Sequence, residues 1–360
     1  MIWTILIFLA VLSFLVIAHE WGHYYSAKKL GAKVEEFGLG FPPRIWSWKG
    51  KDGMEWSLNL IPLGGFVKIK GESGEGRAEK DSFAHRKVWQ KLTILSAGVI
   101  MNLVVAVGLF GMVLFAGAPT IVEGDLPEHA QVEDRALMVN ELVEDGGAAE
   151  AGLVIGDIVL SLDGMSVESG EEARDYLRES TEAGIVDIEI ERDGTIESFT
   201  MSSAYLESLS ADGYGISVVE TGLLSYPWWL VPWKAITTTF ACTVMVVVAF
   251  YELLAGLITG TGVSESVSGP VGIAQMTGQV ASMGWVYLAQ FMALLSINLA
   301  VLNVLPFPAL DGGRILFVIV EAVRRKPNSA RIEAMIHNFG FLLLIGLVIF
   351  VTYRDIVNLF

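Results

Sequence analysis

Long runs without a single ionisable side chain restrict this chain more than any other feature. No Asp, Glu, Lys, Arg or His occurs in residues 1–18, 92–122, 235–251, 285–310 or 340–353. A helix needs about 20 apolar residues to cross a bilayer, at about 1.5 Å of rise each. The shorter runs reach that length with their apolar flanks. A hydrophobic share of 53% over 360 residues is also high for a soluble globular chain. The expectation is a multi-pass α-helical membrane protein with about four transmembrane helices. The single cysteine, Cys242, excludes an intrachain disulfide.

Charge is distributed as unevenly as hydropathy. Residues 120–220 hold 25 acidic and 4 basic side chains, so an acidic, water-exposed domain is inserted into a slightly basic body. That sign argues against nucleic acid as a partner, and its simplest role is solubility. Residues 25–91 are instead rich in Lys and Arg, from Lys28 and Lys29 to Arg86, Lys87 and Lys91. The positive-inside rule places this loop in the cytoplasm. The first helix then ends at the cytoplasmic face near His19–His23, and the second, about Leu92 to Ala118, carries the acidic domain to the extracytoplasmic side. A cleaved leader over 1–25 is rejected, because no basic region precedes the apolar run and Glu20–Trp21 is no small-residue cleavage site.

The expected parts are a first span over 1–26, a cytoplasmic loop over 27–91 and a second span over 92–118. An extracytoplasmic domain follows over 119–220, and then an interfacial, amphipathic or re-entrant region over 221–284. A third span at 285–310, a cytoplasmic amphipathic helix and loop at 311–335 and a fourth span at 336–354 complete the chain. Residues 226–258 are the ambiguous segment. If they cross, the next helix delivers Asp311 to the outside; if they lie along the outer interface, Asp311 arrives on the side of His19. Pro227, Pro232 and the Trp228–Trp229–Trp233 cluster suit an interface, and "RRK" at 324–326 then falls in the cytoplasm.

In the acidic domain, "GDIVLSLDG", "IVDIEIERDG" and "SFTMSS" read as strands, with "EEARDYLRES" as a helix between them. The stretch "DGGAAEAGLVIGDIVLSLDGMSV" resembles a PDZ domain, an α+β module that binds extended peptides by adding a strand to its sheet edge.

The chemistry lies at the end of the first helix, in "AHEWGH". His19 and His23 stand one turn apart on one face, close enough for both imidazoles to reach one metal ion, and Glu20 is placed to act as a base beside it. An ionisable group in an uncharged helix is costly enough to imply a function. Catalytic zinc takes a third protein ligand. His85, His129 and His337 lie in unfavourable places, whereas Asp311 ends a 26-residue uncharged run in "NVLPFPALDGGR". Pro306 and Pro308 break the helix there, and Gly312–Gly313 permit a close turn. Asp311 either caps the helix that follows or ligates the metal; the H-E-x-x-H motif favours the ligand.

The stretches "AHEWGHYYSAKKLG", "SLNLIPLGGFVKIKGE", "LSAGVIMN", "SGPVGIA" and "NVLPFPALDGGR", in that order, resemble the site-2 protease family of intramembrane zinc metalloproteases. The similarity is to its bacterial branch, which carries a PDZ domain between the second and third spans. The resemblance implies one Zn2+ per chain held by His19, His23 and Asp311, with Glu20 as the catalytic base. It implies substrate contacts from Asn303 and Asn298, the latter with a stronger case for helix packing. It also implies a membrane-associated β-loop at Ile61–Glu72, where Gly64, Gly65 and Phe66 would offer a strand edge to unwound substrate. The implied partners are the lipid bilayer, transmembrane protein substrates such as anti-sigma factors or remnant signal peptides, and peptides or substrates at the PDZ domain. The implied location is the bacterial inner membrane, with the active site near the cytoplasmic side and the PDZ domain outside. Val99 and Ala148 stand where the family commonly has proline. A non-catalytic membrane adaptor with a structural metal is the competing reading, though it has no use for Glu20. A metal transporter would need polar groups in series along a path, and this chain has one cluster.

Overall fold

The computed structural model describes residues 2–72, 74, 76–122, 126–143, 145–167, 169–182, 184–192, 194–206, 211–259 and 269–357. They form two compact units, one of residues 1–112 and 232–360, the other of residues 113–231.

The first unit opens with α1 (Ile2–Lys29), whose last turn carries Lys28 and Lys29 against the negative end of the helix. It is followed by an antiparallel pair of long strands, β1 (Val34–Lys49) and β2 (Glu55–Ile69). The strands fold back on each other, so Glu36–Leu39 faces both Gly65–Lys68 and Glu55–Leu58. Residues 65–69 therefore lie at one margin of the sheet, and no strand among the described residues pairs with their other side. Beyond β2, Lys70 is paired with Glu79 and Asp81, whose carboxylates hold its ammonium above the ordinary lysine value. Then comes α2 (Val88–Ala116). Tyr24, Phe37, Val67, Ile94 and Leu95 are buried together, a core that locks the sheet against α1 and α2.

The inserted unit is built from β3 (Ala118–Ile121), β4 (Gln131–Leu142), α3 (Gly147–Glu150), β5 (Ile158–Leu162) and β6 (Met165–Ser166). It continues through α4 (Gly170–Glu179), β7 (Ile185–Arg192), β8 (Thr195–Ser202), β9 (Ala204–Leu206), β10 (Ala211–Gly213) and β11 (Ile216–Ser225). The main sheet runs β3-β11-β4-β5-β7-β8, with β6 paired to β5. Period-two alternation makes the core: Val186, Ile188 and Ile190 of β7 are fully buried, while the residues between them face out. Ser169 caps α4 by accepting from the Glu172 amide, and Ala173 and Leu177 of that helix join the core. The closing strand extends past 220, because β11 pairs with β3 through Leu224 and with β4 through Ser225. Asp157 is buried beneath the sheet. Burial works to raise its pKa, but Arg192 at 2.6 and 2.7 Å and the Val154 amide at 2.9 Å hold it below the ordinary carboxylate range.

The first unit resumes with α5 (Val231–Thr259), α6 (Pro270–Met283), α7 (Trp285–Val304), α8 (Asp311–Arg324) and α9 (Ala330–Val357). Five helices among the described residues, α1, α2, α5, α7 and α9, are long and apolar enough to cross a membrane. Four of them coincide with the expected spans, and the fifth, α5, is a continuous 29-residue helix over the segment read as interfacial. The last helix also begins six residues ahead of the expected 336, within the part assigned to the preceding loop. Helix α6 is fastened at both ends of its first two turns. The amides of Gly269 and Gly272 donate to the Asp355 carboxylate near the end of α9, at 3.1 and 2.9 Å, and Gly278 packs on Thr4 at the start of α1.

Candidate metal centre

His19 and His23 are buried on one face of α1, their rings edge-on with centroids 4.8 Å apart. Asp311 reaches them from 288 residues further along the chain. It is the first residue of α8, after a break at 305–310 where Pro306 and Pro308 cannot continue the helical hydrogen bonding. The break is compact. A Cβ at Gly312 would strike the carbonyls of Val304 and Leu305, and the amide of Ala309 donates to His337 Nδ1 at 2.9 Å.

Three lone-pair atoms converge. His19 Nε2 is 3.0 Å from Asp311 Oδ2, His23 Nε2 is 3.1 Å from the same oxygen, and the two Nε2 atoms are 3.1 Å apart. Tetrahedral zinc with ligands at about 2.0–2.1 Å has edges of about 3.3 Å, so the triangle fits one face of such a site. The surroundings fit as well. A Cβ on Gly98 of α2 would collide with His23 Nε2 and lie 2.6 and 2.7 Å from His19 Cε1 and Nε2, within the space an ion would take. Helices α1 and α2 approach this closely because Gly22 also lacks a side chain; a Cβ there would strike the Ala97 carbonyl. His23 Nδ1 donates to the Ile94 carbonyl at 2.9 Å, which leaves the Nε2 lone pair pointing at the centre.

The centre opens into a cavity of about 480 Å³ lined by Glu20, Gly64, Gly65, Phe66, Asn303 and Arg314, among others. The cavity thus holds the three side chains that could hold a metal, the carboxylate expected to act as base, and the marginal segment of the sheet. Arg314, one turn beyond Asp311, pairs with Glu72 just past β2, so α8 and the sheet are tied together at the cavity wall. Asn298 lies on α7 outside this lining. Among the other histidines, His85 bonds the Arg77 carbonyl at 3.0 Å and His129 is exposed. The sequence reading assigned no role to Ile94, Gly98 or Asn102, although "LSAGVIMN" contains two of them. An asparagine four residues beyond a glycine, inside an uncharged run, was the available signal.

Paired histidines on an apolar helix, with a glutamate beside them and an aspartate brought against them, are the pattern expected of a membrane metallopeptidase. The chain belongs to peptidase family M50, whose pattern matches residues 7–347. It is 29% identical to the regulator of sigma-W protease RasP of Bacillus subtilis, over 99% of both chains. It is 33% identical to a Clostridium perfringens chain named as a zinc metalloprotease, over 98% of both. It is 28% identical to the metalloprotease MmpA of Caulobacter vibrioides, over 97% of this chain and 94% of that one. A solved PDZ domain of the SdrC-like protein of Listeria monocytogenes aligns with 24% of this chain and 92% of its own length, at 23% identity and a TM-score of 0.22.

Proposed function

We propose that the chain is an intramembrane endopeptidase that binds one Zn2+ through His19, His23 and Asp311 and cuts transmembrane segments of previously trimmed membrane proteins, anti-sigma factors and remnant signal peptides among them. The carrying observation is that the three ligand atoms, Glu20 and an unpaired strand margin share one cavity. Zinc, when bound, supplies Lewis acidity and makes water acidic enough to ionise near neutral pH. Glu20 takes the proton of the attacking water on its carboxylate and passes it to the departing amine. A helical substrate hides its carbonyls in i→i−4 bonds, so it must unwind locally. The margin at Gly65–Ile69 offers its own amides and carbonyls to the freed backbone, with Asn303 as a further polar contact. Glu20→Gln should keep zinc while lowering cleavage of a single-span substrate by about 10²–10⁴-fold; normal turnover would remove Glu20 from this role.

The proposed location is the bacterial inner membrane, with the centre near the cytoplasmic side and residues 113–231 outside. Four spans, with α5 at the outer interface, agree with the contacts of α6. Its start meets the end of α9 and its middle meets the start of α1, so α6 lies at the level of the N-terminus of α1. A chain that leaves the outer end of α2 and returns at that level has no net crossing between. Cysteine placed at Thr259, in a Cys242→Ser background, should react with an impermeant maleimide from outside. Labelling only after permeabilisation would make α5 a fifth span.

For the inserted unit we propose a PDZ role in admitting substrates. β3 pairs with β11 over Thr221–Leu224, and the Val122 amide bonds the Glu220 carbonyl, so among the described residues no strand pairs with that side of the start of β11, beside α4. A cavity of about 710 Å³ lined by Leu177, Arg178, Tyr214 and Ile216 lies there, where an added strand would run. Ile216→Arg should change which substrates are cut and leave cleavage of a short model substrate within about twofold.

A further inference from the structure

Helix α2 meets the metal centre at three positions four residues apart: the carbonyl of Ile94, the bare Cα of Gly98 and the side chain of Asn102. The first fixes His23, whose Nδ1 proton is taken by a backbone oxygen. The third faces His19. Asn102 is fully buried, its amide nitrogen is 3.3 Å from His19 Nδ1, and its Oδ1 has no hydrogen-bond partner. The two ends of an amide have the same shape, so either can face the ring, and the imidazole decides between them. With the NH2 end donating to Nδ1, the ring proton must sit on Nε2, 3.0 Å from Asp311, and His19 has no lone pair for a metal. With the carbonyl facing the ring, Oδ1 accepts the Nδ1 proton and the Nε2 lone pair joins that of His23.

We propose that Asn102 is a positioning residue whose side-chain carbonyl accepts the Nδ1 proton of His19 and so commits Nε2 to the metal. The inference rests on the metal-centre reading above. It gives the two histidines matching acceptors from one helix, a backbone carbonyl for His23 and a side-chain carbonyl for His19. The turn is itself held, since Ser296 of α7 donates to the Asn102 backbone carbonyl at 2.8 Å, and α7 leads to Asp311. Partners of this kind are typically worth about 10–100-fold in metal affinity.

The test uses the full-length protein loaded with zinc, with release to a chelator as the readout. Asn102→Leu, which keeps volume and removes the acceptor, should release zinc about 10–100-fold faster than wild type. Asn102→Asp, which keeps an acceptor, should stay within about threefold of wild type. Imidazole ¹⁵N shifts of the zinc-loaded wild type should show His19 protonated at Nδ1, a signature that does not depend on any variant folding. Release from Asn102→Leu within twofold of wild type, equally fast release from both variants, or a proton on Nε2 of His19 would overturn the proposal. Wild type that takes up no zinc would overturn the metal-centre reading as well. Zinc uptake that is lost in Asp311→Ala but indifferent to Asn102→Leu would remove Asn102 alone.

Discussion

The two units of this molecule are held together by different physics. The inserted unit has a conventional core, in which Val139, Val186, Ile188, Ile190 and Met201 are wholly buried by strand alternation. Any residue there can be exchanged for another of similar volume at modest cost. The membrane unit has a core around Tyr24, Phe37 and Leu95, but it leaves large apolar side chains such as Trp3, Phe240, Phe339 and Phe350 exposed and buries the polar His19, His23 and Asn102. Its close contacts rest on a few hydrogen-bond partners and on bare glycines such as Gly22 and Gly98. Damage should therefore be graded in one unit and abrupt in the other.

The largest effect is expected in the membrane unit. Asp311→Ala should abolish stoichiometric zinc and lower cleavage by at least about 10²-fold, while the unfolding of residues 113–231 is unchanged. Zinc at wild-type level, measured on the purified variant, would break the contrast by showing that two histidines suffice. Next, Ile188→Ala should destabilise the inserted unit by about 2–5 kcal/mol in denaturant unfolding and leave zinc binding untouched. A smaller loss is expected from Asp157→Asn, about 1.5–3 kcal/mol, since it weakens charge-assisted bonds to Arg192. Because the folded pKa of Asp157 is depressed, its contribution is present above the ordinary carboxylate value and is lost as pH falls through the lower folded value. The acid limb of unfolding should therefore flatten in the variant; an unchanged limb would assign the pH dependence to other carboxylates. The smallest effect belongs to Arg135→Gln, which removes an exposed pair with Glu220 and should cost no more than about 1 kcal/mol.

Much of this was legible in the sequence, for reasons that differ between the units. In the inserted unit, alternation announced β5, β7 and β8, and the charged helix between them proved to be α4. Its last boundary was less visible, because residues 221–225 carry no signal that separates a strand from the apolar helix after it. In the membrane unit, His19, Glu20 and His23 stood out by charge against an uncharged background. The structure sets Asp311 beside the two histidines. Of the contributions of α2, only Asn102 left a mark, as an asparagine inside an uncharged run. A carbonyl at Ile94 and a missing side chain at Gly98 leave no mark in composition. Their meaning depends on which helix lies opposite, which no local pattern encodes.

The bare Cα of Gly98 has a bearing on how genomes are read. One nucleotide substitution turns a glycine codon into an alanine codon, and the resulting methyl group would fill the space between the two histidines. Such a descendant would keep H-E-x-x-H and its aspartate and pass a motif search for a protease. On the proposed metal site that methyl group would take the room of the ion, so surveys that count active members by their ligands should also score this position.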